Sequence, residues 1–399
     1  MRVNRRVLDQ IDSPISTAYA LVSPPEGDPA LLDLAQAAPR YPPAPVVVDH
    51  VTRIARGRHG GTYTEVPGLP HLREAFAAEL SRDYQGSVAP DNVVVTAGCN
   101  QAFSLVAAAL AGTGDELIVP LPYYFNHDMW LRMTGIRPVY LRPGPDLVPR
   151  AADAEPLITP RTRAIVLVTP GNPSGVTIDP AGIAAFAELA RRHDIALIVD
   201  ETYRSFRGTD EPAHHLFADP HWDRTLVSLH SFAKDLAIPG YRVGAVVASP
   251  EVNRQVCKLL DCVAVCAPRI GQEAAWAGLV HARGWRRARA RDIARQRAWF
   301  TAAMAGRPGG FELLSCGGFF GWIRHPFTDR PTDDVARDLV TRYHTLLIPG
   351  TAFLPEDQGM LRVSVSNLDR AAVGTFVDRL TEAGRVLGSQ DSRALGRSG

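Results

Sequence analysis

Short apolar segments of strand length recur along the chain, and helix-like segments separate them. The predicted strands are 92–96, 116–119, 164–168, 195–199, 225–229 and 243–248. Between two of them, segment 181–193 places Ile183, Phe186 and Leu189 on one helical face. Buried strands that alternate with helices are typical of a doubly wound sheet. We therefore predict an α/β fold whose large domain contains a mostly parallel, doubly wound sheet.

The pattern changes after Pro308, where strands are predicted at 311–314, 318–323, 345–348 and 361–364 and helices at 333–343 and 370–383. This mixture predicts a small α+β domain. Long helices are predicted over 251–305, with interruptions near Pro268 and Gly284. We expect residues 1–44, which are Pro-rich and irregular, to form the N-terminal segment of the small domain. Residues 45–285 would form the large domain, 286–387 the rest of the small domain, and 388–399 a disordered tail.

Charge and cysteine content exclude several classes of protein. The net charge is +1, which gives no indication of binding to nucleic acid or to a membrane surface. The five cysteines are an odd number in a long chain, which argues against a disulfide framework and fits a reducing compartment. The spacing of Cys257, Cys262 and Cys266 favours core thiols over a metal site. No signal-like apolar segment precedes the first strand. We predict a cytoplasmic protein without a metal.

Only two of the 43 basic residues are lysines, Lys234 and Lys258. An arginine guanidinium stays protonated, whereas a lysine amine can lose its proton and form an imine with a carbonyl group. A lysine kept in so arginine-rich a chain is therefore a candidate nucleophile. A surface lysine after a strand is the competing interpretation for Lys234, and its neighbours must decide.

Residues that are suited to binding a ligand follow each of five predicted strands. Ligands of open α/β sheets bind beyond the carboxyl ends of the strands, so these residues are expected to meet there. A glycine turn before a helix can bind an anion, an aromatic ring can stack on a planar ligand, and a carboxylate can pair with a protonated ring nitrogen. In chain order they are Gly98, Tyr124, Asn172, Asp200 with Tyr203, and Ser231 with Lys234 and Arg242. Together they describe a pocket for pyridoxal 5'-phosphate (PLP), a phosphorylated pyridine aldehyde.

The chain resembles the class I/II aminotransferase family of fold-type I PLP enzymes over roughly residues 30–385. The resemblance rests on Ser231-Phe-Ala-Lys234 with Arg242, on Asn172-Pro173-x-Gly175 and on Asp200-x-x-Tyr203. It implies the PLP-dependent transferase fold. It also implies that Lys234 forms an internal aldimine with the cofactor and shuttles the proton, and that Asp200 holds the pyridinium nitrogen.

The same resemblance implies roles for further residues. His127 would support Asp200, Tyr124 would stack on the cofactor ring, and Asn172 and Tyr203 would donate to its 3′ oxygen. The phosphate positions would be Gly98, Cys99, Ser231 and Arg242, with Asn100 close by.

Three more positions concern the substrate and a partner subunit. Arg362 matches the arginine that binds the substrate α-carboxylate, and Ala37 stands where relatives often carry glycine near that carboxylate. Tyr63 resembles a tyrosine that reaches the phosphate from the partner subunit, which implies a homodimer.

Transamination between an amino acid and a 2-oxo acid is the leading hypothesis. Fold and cofactor residues leave open another PLP reaction, such as an elimination, a cyclisation or an oxygen-dependent oxidation in specialised metabolism. A PLP-sensing regulatory protein is a third hypothesis. It is disfavoured because 44 N-terminal residues are too few for a DNA-binding domain. The sequence does not specify the amino donor and acceptor.

Overall fold

The computed structural model describes residues 1–22, 30–209 and 211–395. The strands are β1 (Leu32–Asp33), β2 (Val93–Thr96), β3 (Glu116–Pro120), β4 (Arg137–Leu141), β5 (Thr162–Val168), β6 (Ala196–Asp200), β7 (Leu226–Ser231), β8 (Gly244–Val247), β9 (Glu312–Gly317), β10 (Phe320–Arg324), β11 (Thr345–Leu346), β12 (Ile348–Pro349) and β13 (Met360–Ser364). The helices are α1 (Arg5–Leu8), α2 (Pro14–Tyr19), α3 (Pro45–Arg56), α4 (Pro70–Asp83), α5 (Cys99–Leu110), α6 (Phe125–Thr134), α7 (Ala151–Ala154), α8 (Pro180–Arg192), α9 (Pro250–Ala264), α10 (Arg269–His281), α11 (Arg283–Met304), α12 (Thr332–Tyr343) and α13 (Arg370–Leu395).

Seven strands form the largest sheet, in the order β2-β8-β7-β6-β5-β3-β4. Strand β8 is antiparallel to both of its neighbours, and the other adjacent pairs are parallel. The predicted α/β fold with a mostly parallel sheet is therefore confirmed. The sequence did not predict β4 or helix α6. Strand β4 lies at the edge of the sheet and is only partly buried, so it lacks the continuous apolar pattern of the inner strands.

Both faces of this sheet are covered, which explains why its inner strands are apolar throughout. In β5, Ile165 and Leu167 belong to one hydrophobic cluster, while Ala164 and Val166 belong to another. Alternate side chains of a strand point to opposite faces, so each face contributes to a separate core. Full burial of each large aliphatic side chain stabilises the fold by about 2 kcal/mol.

A second, antiparallel sheet has the strand order β12-β13-β10-β9. Strand β1 pairs with β11 and thereby brings the N-terminal segment to the C-terminal part of the chain. That segment was predicted to be irregular, and this was wrong for α1, α2 and β1. Proline at the first position of α2 is compatible with a helix, because the amide there needs no partner. Pro24 and Pro25 lie outside the described residues.

Helix α13 ends at Leu395, so residues 388–395 are helical rather than disordered. Gln390, Arg393, Ala394 and Leu395 are good helix formers, and they continue the helix beyond the small residues that suggested a tail. Residues 396–399 of the predicted tail lie outside the described residues. The break near Gly284 falls at Ala282, and Gly284 itself lies within α11. Among the described residues, no helix combines the length and apolarity needed to cross a membrane.

Candidate active site

Four parallel strands of the large sheet end at the same edge, and the predicted site residues follow them. Asp200 is the last residue of β6 and Ser231 the last of β7. Lys234 follows three residues after Ser231, and Tyr124 and Asn172 come four residues after the ends of β3 and β5. The parallel arrangement therefore collects these side chains at one edge of the sheet, where open α/β folds bind their ligands.

Lys234 is partly buried, and its Nζ donates a hydrogen bond to the carbonyl oxygen of Ala37, 2.6 Å away. Burial, together with the positive charges of Arg362 and Arg242, lowers the pKa of this amine to about 8. A lysine with such a pKa is partly unprotonated near neutral pH, so its nitrogen can act as a nucleophile and as a base.

Asp200 is buried beneath the site, and His127 lies beside it with 3.4 Å between Nε2 and the carboxylate Oδ2. The His127 ring stacks on Phe103 at a centroid distance of 3.8 Å, which fixes its orientation. The amide of Thr202 donates to Asp200 Oδ1 at 2.9 Å. Burial raises the pKa of the Asp200 carboxyl, but His127 and Thr202 outweigh burial and hold it below its ordinary value. Asp200 therefore remains a carboxylate that can accept a proton-bearing ring nitrogen.

Arg362 lies in the middle of β13 and is only 2% exposed. Its guanidinium donates to Asn172 Oδ1 at 3.1 Å and to the carbonyl oxygen of Ala35. The rings of Phe320 and Phe353 lie 5.2 and 5.1 Å from it. Burial lowers the pKa of Arg362 to about 10, so the group is still a cation at neutral pH. Its buried Nε has no partner among the described residues, which leaves a donor for a carboxylate.

The turn before α5 forms a cationic cup. Gly98 has φ +91 and ψ 166, a backbone conformation that only glycine adopts readily. A Cβ at this position would also collide with the guanidinium of Arg242. Arg242 Nη2 donates to the carbonyl oxygen of Ala97 at 3.2 Å and so lies over the first turn of α5. A helix N-terminus with an arginine beside it binds a phosphate well.

Strand β8 places Ser231 next to this cup. Gly244 pairs with Ser231 on one side and with Thr96 on the other. A Cβ on Gly244 would approach the backbone of Gly98 and Cys99 to 2.7 and 2.8 Å, so glycine is required for the strands to lie this close to the turn. Burial raises the pKa of the Cys99 thiol, which stays neutral inside the cup.

Two tyrosines contribute phenol groups to the site. Tyr124 precedes α6, and its hydroxyl accepts a hydrogen bond from Asn126 at 2.9 Å. Tyr203 is buried, with its ring 5.1 Å from that of Phe320. Burial raises the pKa of both phenols, so each is a neutral hydrogen-bond donor. Asn100 lies on the first turn of α5, and its side chain partly offsets the effect of burial on the pKa of Tyr124.

One predicted residue stands apart from the others. The Tyr63 side chain is 76% exposed, whereas the other thirteen predicted residues lie around the strand ends and the facing part of β13. Sequence reasoning also missed four contributors: Ala35, Thr202, Phe320 and Phe353. Thr202 lies within the recognised Asp200-x-x-Tyr203 motif. Phe320 reaches the site through the pairing of β10 with β13, Phe353 follows β12 on the other side of β13, and Ala35 lies on the N-terminal segment.

These groups fit PLP. The cup formed by Gly98, Ser231 and Arg242 suits a phosphate, and Asp200 suits a protonated pyridine nitrogen. Lys234 suits an aldehyde, and the free Nε of Arg362 suits a carboxylate. The fold and the site are those of a fold-type I PLP-dependent enzyme.

Comparison with known proteins identifies the family. The sequence profile described as aminotransferase class I and II matches residues 29–380. An arginine–pyruvate transaminase of Pseudomonas aeruginosa is 31% identical, over 81% of this chain and 82% of its own. An aromatic aminotransferase of Arabidopsis thaliana is 29% identical, over 88% of both chains. A solved structure of a Thermus thermophilus aspartate aminotransferase variant superposes with a TM-score of 0.87 at 25% identity, covering 96% of this chain and 100% of that one.

The chain belongs to the class I and II aminotransferase family, and it is a PLP-dependent enzyme that transfers amino groups between amino acids and 2-oxo acids. The predicted family, cofactor and activity are thus confirmed.

Proposed function

We propose that Lys234 is the catalytic lysine of this aminotransferase. The observation that carries the proposal is the lowered pKa of its amine, about 8, at the point where the cationic cup, Asp200 and Arg362 meet. PLP supplies an electron sink that stabilises negative charge at the substrate α-carbon. The Nζ of Lys234 would hold the cofactor through its aldehyde, and once a substrate amine has displaced it, the freed amine would carry the α-proton.

The remaining side chains hold the reacting groups in place. Asp200, kept ionised by His127 and Thr202, pairs with the ring nitrogen and preserves its proton. Tyr203 and Asn172 would donate to the 3′ oxygen of the cofactor, and Tyr124 would pack against its ring. Arg362 binds the substrate carboxylate, and the aromatic rings on its flanks exclude water from that ion pair, which strengthens it.

Ala37 shapes the same pocket. Its side chain is buried, and its carbonyl oxygen lies 2.6 Å from Lys234 Nζ. We propose that this residue limits the space around the substrate carboxylate. A glycine here would leave more room.

We propose that the enzyme works as a homodimer in which Tyr63 reaches the cofactor phosphate of the partner subunit. Arg269 Nη2 donates to the Tyr63 carbonyl at 2.9 Å, so the Tyr63 loop lies against the start of α10. Val263 and Val265, just before that helix, are 67% and 40% exposed. An exposed apolar surface of this kind is typical of a protein–protein interface.

Two further proposals concern the domain organisation of the chain and its cellular compartment. The large PLP-binding domain would comprise residues 45–285, and the small domain residues 1–44 and 286–387, in accordance with the two main sheets. The five cysteines are free thiols, which supports a reducing, cytoplasmic compartment.

The presence of only two lysines makes the catalytic assignment easy to test. Borohydride reduction of the PLP-loaded enzyme should attach the cofactor to the peptide that contains Lys234 and leave the Lys258 peptide unlabelled. Lys234→Ala should lower the transamination rate by about 10²- to 10⁴-fold. Lys258→Ala is the matched control, because Lys258 is exposed and its amine donates to the neighbouring side chain of Gln255. Label on Lys258, or full activity in Lys234→Ala, would falsify the proposal.

A further inference from the structure

A second cavity, of about 550 Å³, opens between the end of α4, residues 204–209 and 211–213, and the first half of α11. None of the side chains assigned above to the cofactor or the substrate lines it. Its described lining contains seven arginines and four carboxylates, so its walls carry three more positive charges than negative ones. A volume of this size is typical of small-molecule sites.

The inner wall of the cavity is electrically neutral and rigid. Arg286 donates to both carboxylate oxygens of Glu79, at 2.6 and 2.8 Å, and to Asp235 at 2.6 Å. Arg204 also donates to Glu79. Two buried carboxylates thus compensate two arginines, so these four side chains together carry no net charge.

The outer wall is different. Arg283, Arg287 and Arg291 follow one another at intervals of four residues on α11, so they lie on the same face of the helix. Like charges at this spacing destabilise a helix. Arg283 approaches Asp83 at 3.8 Å, but Arg287 and Arg291 make no ion pair with any residue that the structure describes.

Arg207 contributes a further positive charge from the opposite side. Its side chain is half-buried, and it donates to the backbone carbonyls of Glu211 and Pro212 rather than to a carboxylate. Burial lowers the pKa of Arg207, which reflects the cost of keeping this cation away from water. Arg207, Arg287 and Arg291 therefore line one cavity as guanidinium groups that form no salt bridge with a carboxylate of the described residues.

We propose that this cavity binds a small anion that carries two or more phosphate or carboxylate groups, held by Arg207, Arg287 and Arg291. The planar fork of a guanidinium matches either group with two parallel hydrogen bonds. Three such forks favour a multivalent ligand over a single chloride ion. The neutral inner wall limits how deeply the charged groups enter, so the anion lies toward the mouth of the cavity.

Calorimetric titration of the PLP-loaded enzyme with inorganic pyrophosphate, and separately with citrate, tests this site. PLP occupies its own phosphate cup in that form, so the cup does not compete for the probe. We expect saturable binding of one anion per chain for at least one probe. Arg287→Gln/Arg291→Gln should weaken it by about tenfold or more, because two charged hydrogen-bonding groups are lost.

The matched control is Arg254→Gln/Arg370→Gln, which removes two exposed arginines outside the cavity and the same net charge. This variant should bind like the wild type. Binding of pyrophosphate alone would assign a phosphate-bearing ligand, and binding of citrate alone a polycarboxylate. The proposal is overturned if neither probe saturates, or if the cavity variant binds as tightly as the control variant.

Discussion

The guanidinium of Arg362 donates a hydrogen bond to the side-chain oxygen of Asn172, 3.1 Å away. Arg362 belongs to the four-stranded sheet, and Asn172 follows a strand of the seven-stranded sheet. This contact therefore joins the four-stranded sheet to the seven-stranded sheet at the proposed substrate site. It brings the proposed carboxylate-binding arginine next to a proposed cofactor-binding amide.

Replacing Arg362 by lysine should raise the KM for the amino acid and the 2-oxo acid by about 30-fold or more, because one charged hydrogen bond and the planar fork are lost. PLP content should stay the same, since the cofactor groups lie on the other sheet. Steady-state kinetics and the cofactor absorbance measure both effects. Arg324→Lys, an exposed change in the same sheet, is the control. An unchanged KM in Arg362→Lys would rule out this role.

The Lys234 amine should titrate at about pH 8 in the cofactor-free protein. The rate of reconstitution with PLP, followed across neutral and alkaline pH, should therefore inflect near this value. Arg362→Gln removes a positive neighbour and should move the inflection to higher pH. The folded chain binds fewer protons than the unfolded chain between about pH 8 and 10.5, so the free energy of unfolding should rise with pH in that interval. An inflection above pH 10 would contradict the lowered pKa.

His127 should act on catalysis through the carboxylate of Asp200. His127→Phe keeps the ring that stacks on Phe103 but removes the charge partner, so the pKa of Asp200 should rise. The acid limb of the kcat/KM profile should move up by about one pH unit or more. Phe103→Leu removes the stacking and keeps the contact between His127 and Asp200, so its acid limb should stay in place. Equal profiles in the two variants would refute the assignment.

Gly98→Ala should weaken PLP binding by about tenfold or more, because a side chain is strained at this backbone conformation and displaces Arg242. Gly240→Ala is a close control: a Cβ there meets nothing within 4 Å, although Gly240 is only two residues from Arg242. Equilibrium titration with PLP measures the difference. Equal affinities in the two variants would show that the cup tolerates a side chain.

Glu79 should make the free energy of unfolding depend on pH in the acidic range. Burial raises the pKa of this carboxyl, but its bonds to Arg286 and Arg204 dominate and lower the pKa from 4.5 to about 2. The stabilisation is complete above pH 4.5 and is lost as the pH falls toward 2; it amounts to about 3 kcal/mol. Urea unfolding should show Glu79→Gln strongly destabilised at pH 7, with the gap to the wild type narrowing below pH 4.5. Glu188→Gln, on an exposed helix face, is the control.

Much of the site follows from one regularity that is visible in the sequence. Apolar strand segments end just before Asp200 and Lys234, and parallel strands bring their ends to one edge. Residue type then restricts the chemistry that each position can perform. Lys234 and Lys258 are the two residues with a side-chain amine. A carboxylate at the end of a buried strand requires a partner. These local signals were sufficient for the fold class and for the grouping of the strand-end residues.

Other features depend on contacts between residues far apart in the chain. The pairing of β13 with β10 puts Phe320 near Arg362, and nothing in either segment specifies that register. The antiparallel direction of β8 is equally absent from its apolar pattern, which fits either direction. The arginine-lined cavity was missed because Arg82, Arg207 and Arg287 come from three distant segments of an arginine-rich chain.

Helix α11 has one end in each part of the molecule. Near its start, Arg286 donates hydrogen bonds to Glu79 and Asp235. Near its end, Phe300 packs against Gly321 of β10, the strand that pairs with β13 in the four-stranded sheet. Its 22 residues form a rod about 33 Å long. A tilt of about 5° at the first end would move the far end by about 3 Å, given that length. The helix thus connects the wall of the arginine cavity to the sheet that carries Arg362.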